Sequence, residues 1–189
     1  NVPIRIAGYL DVQTNASTAG QWSYAVSTNQ TMGEGVPRTG DVIQTVVDKA
    51  NIGRSTTLVT AVDDTTPQQF TETLNVLAGV ITPTSFVNRI RLTHSSYYDI
   101  SAAGTLALCF FQDNTANALF ARPFTFAAAG LQTPIHIVND RQAGTTSATT
   151  FKAGFGTSTG TGYFNQSNGG SDRFDGVDTA VLTIEEIQI

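Results

Sequence analysis

Short apolar runs, many of them in two-residue alternation, are separated along this chain by turns rich in Gly, Asn and Thr. That spacing predicts strands over Val2–Val12, Gln21–Ser27, Ser55–Val62, Gln69–Leu77, Asn88–Ile100, Gly104–Gln112, Leu119–Ala127, Pro134–Val138, Thr149–Phe155 and Thr179–Ile189. Asn88–Ile100 places Ile90, Leu92 and His94 on one face and Arg89, Arg91 and Thr93 on the other, the pattern of a strand wet on one side. Gly104–Gln112 is nearly all apolar and reads as a central strand buried on both faces. In the last run Ala180, Leu182 and Ile184 oppose Val181, Thr183 and Glu185. One stretch points two ways. Asp41 is placed to cap a helix bearing Val42, Ile43, Val46, Val47 and Ala50 at 3.6-residue spacing, with Gly53 beyond its end. Its β-branched content argues for strand, and the spacing and caps tip the expectation to helix.

About ten short strands and at most one short helix define an all-β antiparallel β-sandwich, jelly-roll-like, in a single domain over 1–189. Residues 1–54 are read as an extended N-terminal arm able to reach a neighbour. The irregular stretches are Asn29–Gly40 and Gly156–Gly176, and long loops on a β scaffold are where partners are met.

Composition sharpens this picture. Only 13% of residues are charged against 40% hydrophobic, which excludes a disordered chain. Thr is the most abundant residue, and Lys occurs only at Lys49 and Lys152. A surface poor in Lys and Glu suits protein–protein contact, and it equally suits a Thr-rich β surface that needs few charges. The net charge of −5 argues against phosphate-backbone binding. Cys109 stands alone in an apolar run and reads as a small buried hydrophobe. No run approaches a membrane span, Val2–Ile6 lacks the apolar stretch of a signal peptide, and a start at Asn1 is expected of a processed chain or a fragment.

No chemistry-bearing constellation is complete. Gly156-Thr157-Ser158-Thr159-Gly160 matches the nucleophile-elbow spacing, but loop-like residues follow it and both histidines lie upstream. His94, Ser95, Ser96 and Asp99 cannot form a local triad, because strand neighbours point to opposite faces; His94 reads as a satisfied strand histidine and His136 as solvent-facing. Glu185 and Glu186 also face opposite ways, so at most one enters a cleft where a glycosidase needs two. Asp172, Asp175 and Asp178 recur every three residues and are the candidates for calcium, against a solvated acidic turn. Three N-glycosylation sequons are about what the Asn, Ser and Thr content yields by chance. Trp22, Tyr98 and Tyr163 are the candidates to stack on a sugar ring, with Tyr24, Tyr97 and Phe164 nearby in kind; since Tyr97 and Tyr98 alternate, one of them faces inward. No catalytic residue, cofactor or firm metal site is expected.

From Ser55 to Ile189 the chain resembles the jelly-roll proteins of virions, including capsid and cement proteins of tailed phages. The likeness rests on the Thr- and Phe-rich strands, the buried Gly104–Phe111 run and the closing Ala180-Val181-Leu182-Thr183-Ile184-Glu185-Glu186-Ile187. It implies a non-enzymatic homotrimer located in the virion. Genome-lining coats carry a basic arm, which this acidic chain lacks, so the resemblance implies an outer or decorating position, in contact with a viral major capsid protein and with neither nucleic acid nor membrane. The competing expectation is a carbohydrate- or receptor-binding module, such as a lectin or a phage receptor-binding head.

Overall fold

The computed structural model describes residues 37–60 and 66–189. Chain contacts divide the molecule into Asn1–Arg38 and Thr39–Ile189, and the fold belongs to the second unit. Its strands are β1 (Val42–Ala50), β2 (Arg54–Thr56), β3 (Leu74–Ile81), β4 (Arg89–Ile100), β5 (Gly104–Gln112), β6 (Phe120–Phe126), β7 (Thr133–Gln142), β8 (Thr149–Thr157), β9 (Gly162–Phe164) and β10 (Ala180–Ile187). Short 3-10 turns occupy Phe70–Glu72 and Arg173–Gly176. The predicted strands Val2–Val12 and Gln21–Ser27 lie outside the described residues.

Two antiparallel sheets result. One runs β1-β10-β4-β7, with the short β2 and β9 continuing its β1 and β10 rows past the end of β10; the other runs β3-β8-β5-β6. Among the eight long strands the first pairs with the last, and so on inward: β1 with β10, β3 with β8, β4 with β7, β5 with β6. A long hairpin folded this way and then rolled, so that β10 meets β4 and β8 meets β5, is a jelly roll. The sandwich expected from the strand pattern is therefore the one observed.

The helix expected at Asp41–Ala50 is a correction: Val42–Ala50 is strand β1, laddered to β10 along its length. The β-branched residues prevailed, because that ladder gives every second residue an inner face to pack. The same ladder corrects the arm. Residues 42–54 belong to the sandwich, and the first 36 residues lie outside those described.

The inter-sheet core holds Ile90, Leu92 and Tyr98 of β4, Leu106, Leu108 and Phe110 of β5, Ile135 and Ile137 of β7, Phe151 and Phe155 of β8, and Leu182 and Ile184 of β10. Alternation on β4, β7 and β10 sends Arg91, His136 and Glu185 to the other face, where they keep some or full exposure. Strand β5 departs from alternation because it is covered twice. Its outward Ala107, Cys109 and Phe111 form a second buried cluster with Phe70, Ala118 and Ala121. Phe70 meets Phe111 edge-on at 5.3 Å between ring centres, and the Lys152 ammonium lies 4.8 Å above the Phe70 ring.

The covering segment lies close because β8 is bare there. Gly154 and Gly156 stand opposite Cys109 and Ala107. Thr60 hydrogen-bonds Thr157 O through its N–H and Glu72 O through its hydroxyl, at 2.9 and 2.8 Å. A Cβ at position 156 would collide with Thr60 Oγ1 and with the Glu72 carbonyl oxygen. Backbone cannot retreat as a flexible side chain does, so Gly156→Ala should cost about 3 kcal/mol or more by overpacking. Chemical denaturation measures it; an unchanged midpoint would disprove the close packing of this layer.

Candidate functional site

The polar groups that the fold buries are the natural place to look for chemistry, and His94, Asp99 and Glu186 each bond the chain's own atoms. His94, on the inner face of β4, is fully buried. Its Nδ1 lies 3.0 Å from Val181 O and its Nε2 2.7 Å from the Tyr98 hydroxyl. The carbonyl can only accept, so Nδ1 carries the proton and Nε2 accepts from Tyr98. Burial lowers the His94 pKa from 6.5 to about 4, aided by the charge of His136 and opposed by the Val181 carbonyl. Burial, with Cys109 adding, pushes the Tyr98 hydroxyl well above its ordinary value. His94 stacks on Phe164 at 6.3 Å between ring centres, and Tyr98 meets Phe155 and Phe164 at 5.3 and 5.7 Å. Tyr98 is thus a correction: a wholly buried ring offers no face to a sugar. Its parity on β4 matches Leu92 and His94, which pointed inward.

Three carboxylates fasten loops. Glu186 is fully buried on β10, and its Oε1 accepts from Thr84 N and Oγ1 at 2.8 Å each, Asn88 Nδ2 at 2.7 Å and Ser85 N at 3.4 Å. Burial raises its pKa, but the bonds from Asn88, Thr84 and Ser85 outweigh that and leave it below the usual carboxylate value. Glu186 is therefore no glycosidase partner for Glu185, which lies on the opposite face beside Arg91, 3.9 Å away. Asp99 Oδ2 accepts from Asn168 N at 2.9 Å and its Oδ1 from Ile100 N at 2.7 Å, tying the 165–171 loop against β4. Asp172 Oδ1 accepts from Gly53 N at 2.7 Å.

That last bond occupies one of the three aspartates considered for calcium. Among the described residues no group of three His, Cys, Asp or Glu side chains converges on a point where a metal ion would sit. Ser158 lies in the β8–β9 turn, and its hydroxyl accepts from Thr105 N at 2.9 Å; a strand-turn-strand has no helix to complete a nucleophile elbow. Cys109 is buried, its thiol pushed up to about 12 by burial and then by Glu72. Tyr163 keeps partial exposure on β9, opposite Ser55 and Asp99. Trp22 lies outside the described residues.

The ends of β1, β4, β8 and β9 bring together one crown of loops: Asn51–Gly53, Ser101–Ala103, Ser158–Thr161 and Asn165–Thr179. Phe174 and Asp175 within it adopt left-handed backbone at φ 46° and 56°. Position alone in the sequence did not mark Phe174; the run of Asp around it was the visible feature.

Fold and buried groups define the class: an all-β jelly roll whose buried polar groups serve the scaffold. No described protein family matches the chain, and no curated protein matches it. Among solved structures, the enzymatically active domain of tailspike protein 4 from bacteriophage CBA120 is similar at 10% identity and a TM-score of 0.27, over 66% of this chain and 19% of that one. The chain thus spans about a fifth of that structure's length, and a likeness this distant assigns no activity here.

Two predictions follow from the buried groups. Unfolded histidine takes up a proton near pH 6.5, whereas His94 in the fold resists it down to about pH 4. Stability contributed by keeping His94 neutral is complete above pH 6.5 and falls between 6.5 and about 4, by about 1.4 kcal/mol per pH unit. Denaturation midpoints across that range should show this slope, and His94→Gln should remove it; an equal slope in the variant contradicts the assignment. Glu186→Ala should cost about 3 kcal/mol by orphaning the donors of Thr84, Ser85 and Asn88. Hydrogen exchange at Thr84 and Ser85 should rise above that of the β5 amides; uniform protection would show that the carboxylate does not hold the loop.

Proposed function

We propose that this chain is a non-enzymatic structural protein of a virion, an outer capsid or decoration subunit that associates with copies of itself, most simply as a homotrimer. The observation that carries this reading is the use of the buried ionisable groups. His94, Tyr98, Asp99 and Glu186 each bond the protein's own backbone or side chains, so the scaffold is rigid and its chemistry is turned inward. The jelly-roll order, the net charge of −5 and the near absence of Lys support an outward, protein-facing role over contact with nucleic acid. Fold alone does not carry function, and the proposal stands on the assembly it predicts. Light scattering of the purified chain should give three copies of the 20.0 kDa subunit or a larger closed assembly. A monomer at micromolar concentration would overturn it.

A second reading, a carbohydrate- or receptor-binding module, draws on the partly exposed Tyr163 at the loop crown. A glycan array with a reproducible hit lost in Tyr163→Ala would favour it over the first.

A further inference from the structure

We infer that Asn168 is a site of spontaneous covalent modification: its side-chain amide is lost through a cyclic imide closed by the backbone nitrogen of Gly169, and the conversion loosens the loop between β9 and β10.

The chemistry starts from the sequence. Asn168 is the one Asn of the chain that Gly follows. Asn51, Asn75 and Asn88 precede Ile52, Val76 and Arg89, whose Cβ atoms crowd the adjoining backbone nitrogen. Gly169 has no Cβ and leaves its nitrogen open to react. That nitrogen gives its proton to solvent base and attacks Cγ of Asn168, closing a five-membered ring. The bond from Cγ to Nδ2 breaks, and Nδ2 takes a proton and leaves as ammonia. Water then opens the imide at either carbonyl, giving an aspartyl residue or an isoaspartyl residue whose chain runs through Cγ. Water is the one co-reactant, and nothing is oxidised or reduced.

The fold leaves this pair accessible. Asn168 is exposed, and its bond to Asp99 Oδ2, at 2.9 Å, uses the backbone N–H and leaves the side-chain amide to solvent. Asn88 and Asn165 are buried instead, with Nδ2 donating to Glu186 Oε1 at 2.7 Å and to Asp178 O at 3.0 Å. Gly170 N donates to Ser167 O at 2.9 Å, so Asn168 and Gly169 are the two central residues of a turn. That turn has no use for the N–H of Gly169. A Cβ at position 169 would meet nothing within 4 Å, so space does not demand glycine there; its φ of 121° does. The turn thus keeps glycine at the one position that makes Asn168 reactive.

The consequence follows from what the turn closes. Ser167 N donates to Ser171 O at 2.9 Å, Gln166 bridges Asp172, and Asp172 Oδ1 accepts from Gly53 N at 2.7 Å. An isoaspartyl residue lengthens the chain by one carbon at the tip of this small hairpin and disturbs its register. Either product also sets a new carboxylate close to the buried Asp99, and like charges at short range repel.

The test is to age the purified full chain in mildly alkaline buffer, native and in urea, and to map each Asn by mass spectrometry. An isoaspartyl methyltransferase reports the isoaspartyl product. Because Gly169 leaves the attack unhindered, Asn168 in the native protein should convert about tenfold faster than any other described Asn, and within about tenfold of its rate in urea. Faster conversion at another described Asn, or a longer native lag, would show that the turn shields Asn168 and overturns the site. Those readings come from the wild type and need no variant to fold. Asn168→Gln should abolish the methyl-acceptor signal from this loop. Aged wild type should melt below fresh protein, while aged Asn168→Gln should not; equal melting of aged and fresh wild type, or an equal fall in the variant, overturns the loosening. None of these outcomes depends on the oligomeric state.

Discussion

Backbone N–H groups left over at the sheet edges and in the loops must find acceptors, and in this protein carboxylates supply them. Asp48 of β1 accepts from Ala78 N of β3 at 2.8 Å and so joins the edges of the two sheets. Glu186 gathers the β3–β4 loop, Asp99 the 165–171 loop, and Asp172 the turn after β1. An unpaired buried N–H costs as much as a lost hydrogen bond, and a charged acceptor makes a stronger bond than a neutral one. Acidic residues are thus structural here, and the net charge of −5 reflects that use in part. It follows that acid loosens the protein through Glu186 as well as His94. The stability from a carboxylate with a depressed pKa is present above its unfolded value and is lost as pH falls through the folded one.

The second organising feature is the double covering of β5. Leu106, Leu108 and Phe110 face the inter-sheet core, while Ala107, Cys109 and Phe111 lie beneath the chain around Phe70. A layer of irregular chain can rest on a sheet only where side chains do not hold it off, and the glycines of β8 provide the clearance. Gly79 plays a related part inside the sandwich, where a Cβ would stand 2.7 Å from Ile184 Cδ1. Small residues at these few points let three layers pack at interior density.

These two features bear on function together. A scaffold fastened at both ends by buried carboxylates holds its loop crown in one conformation, including the left-handed stretch at Phe174 and Asp175. A preorganised surface loses little freedom when it binds. On the outer face of the β1-β10-β4-β7 sheet Arg89 and Arg91 both pair with Asp140, at 3.3 and 3.0 Å, and Val47 and Val138 stay exposed in the row through Thr183 and Thr93. Exposed pairs of this kind contribute little to stability.

By itself the sequence determined the class of fold, because period-two alternation is a local property: Ile90, Leu92 and His94 had to share a face of β4, and Gly104–Gln112 had to be covered twice. It determined, too, that Glu186 would fall inward with Ala180, Leu182 and Ile184, by the same parity, although nothing in the chain announced what it would hold. Strand or helix at Val42–Ala50 was decided by tertiary structure, since its 3.6-residue spacing suits a helix and only pairing with β10 supplies the ladder that makes it a strand. The roles of Asp99, Glu186 and Gly156 were likewise settled in three dimensions. Their partners stand 69, 102 and 96 residues away, at Asn168, Thr84 and Thr60, and a contact at such separation exists only once the chain has rolled.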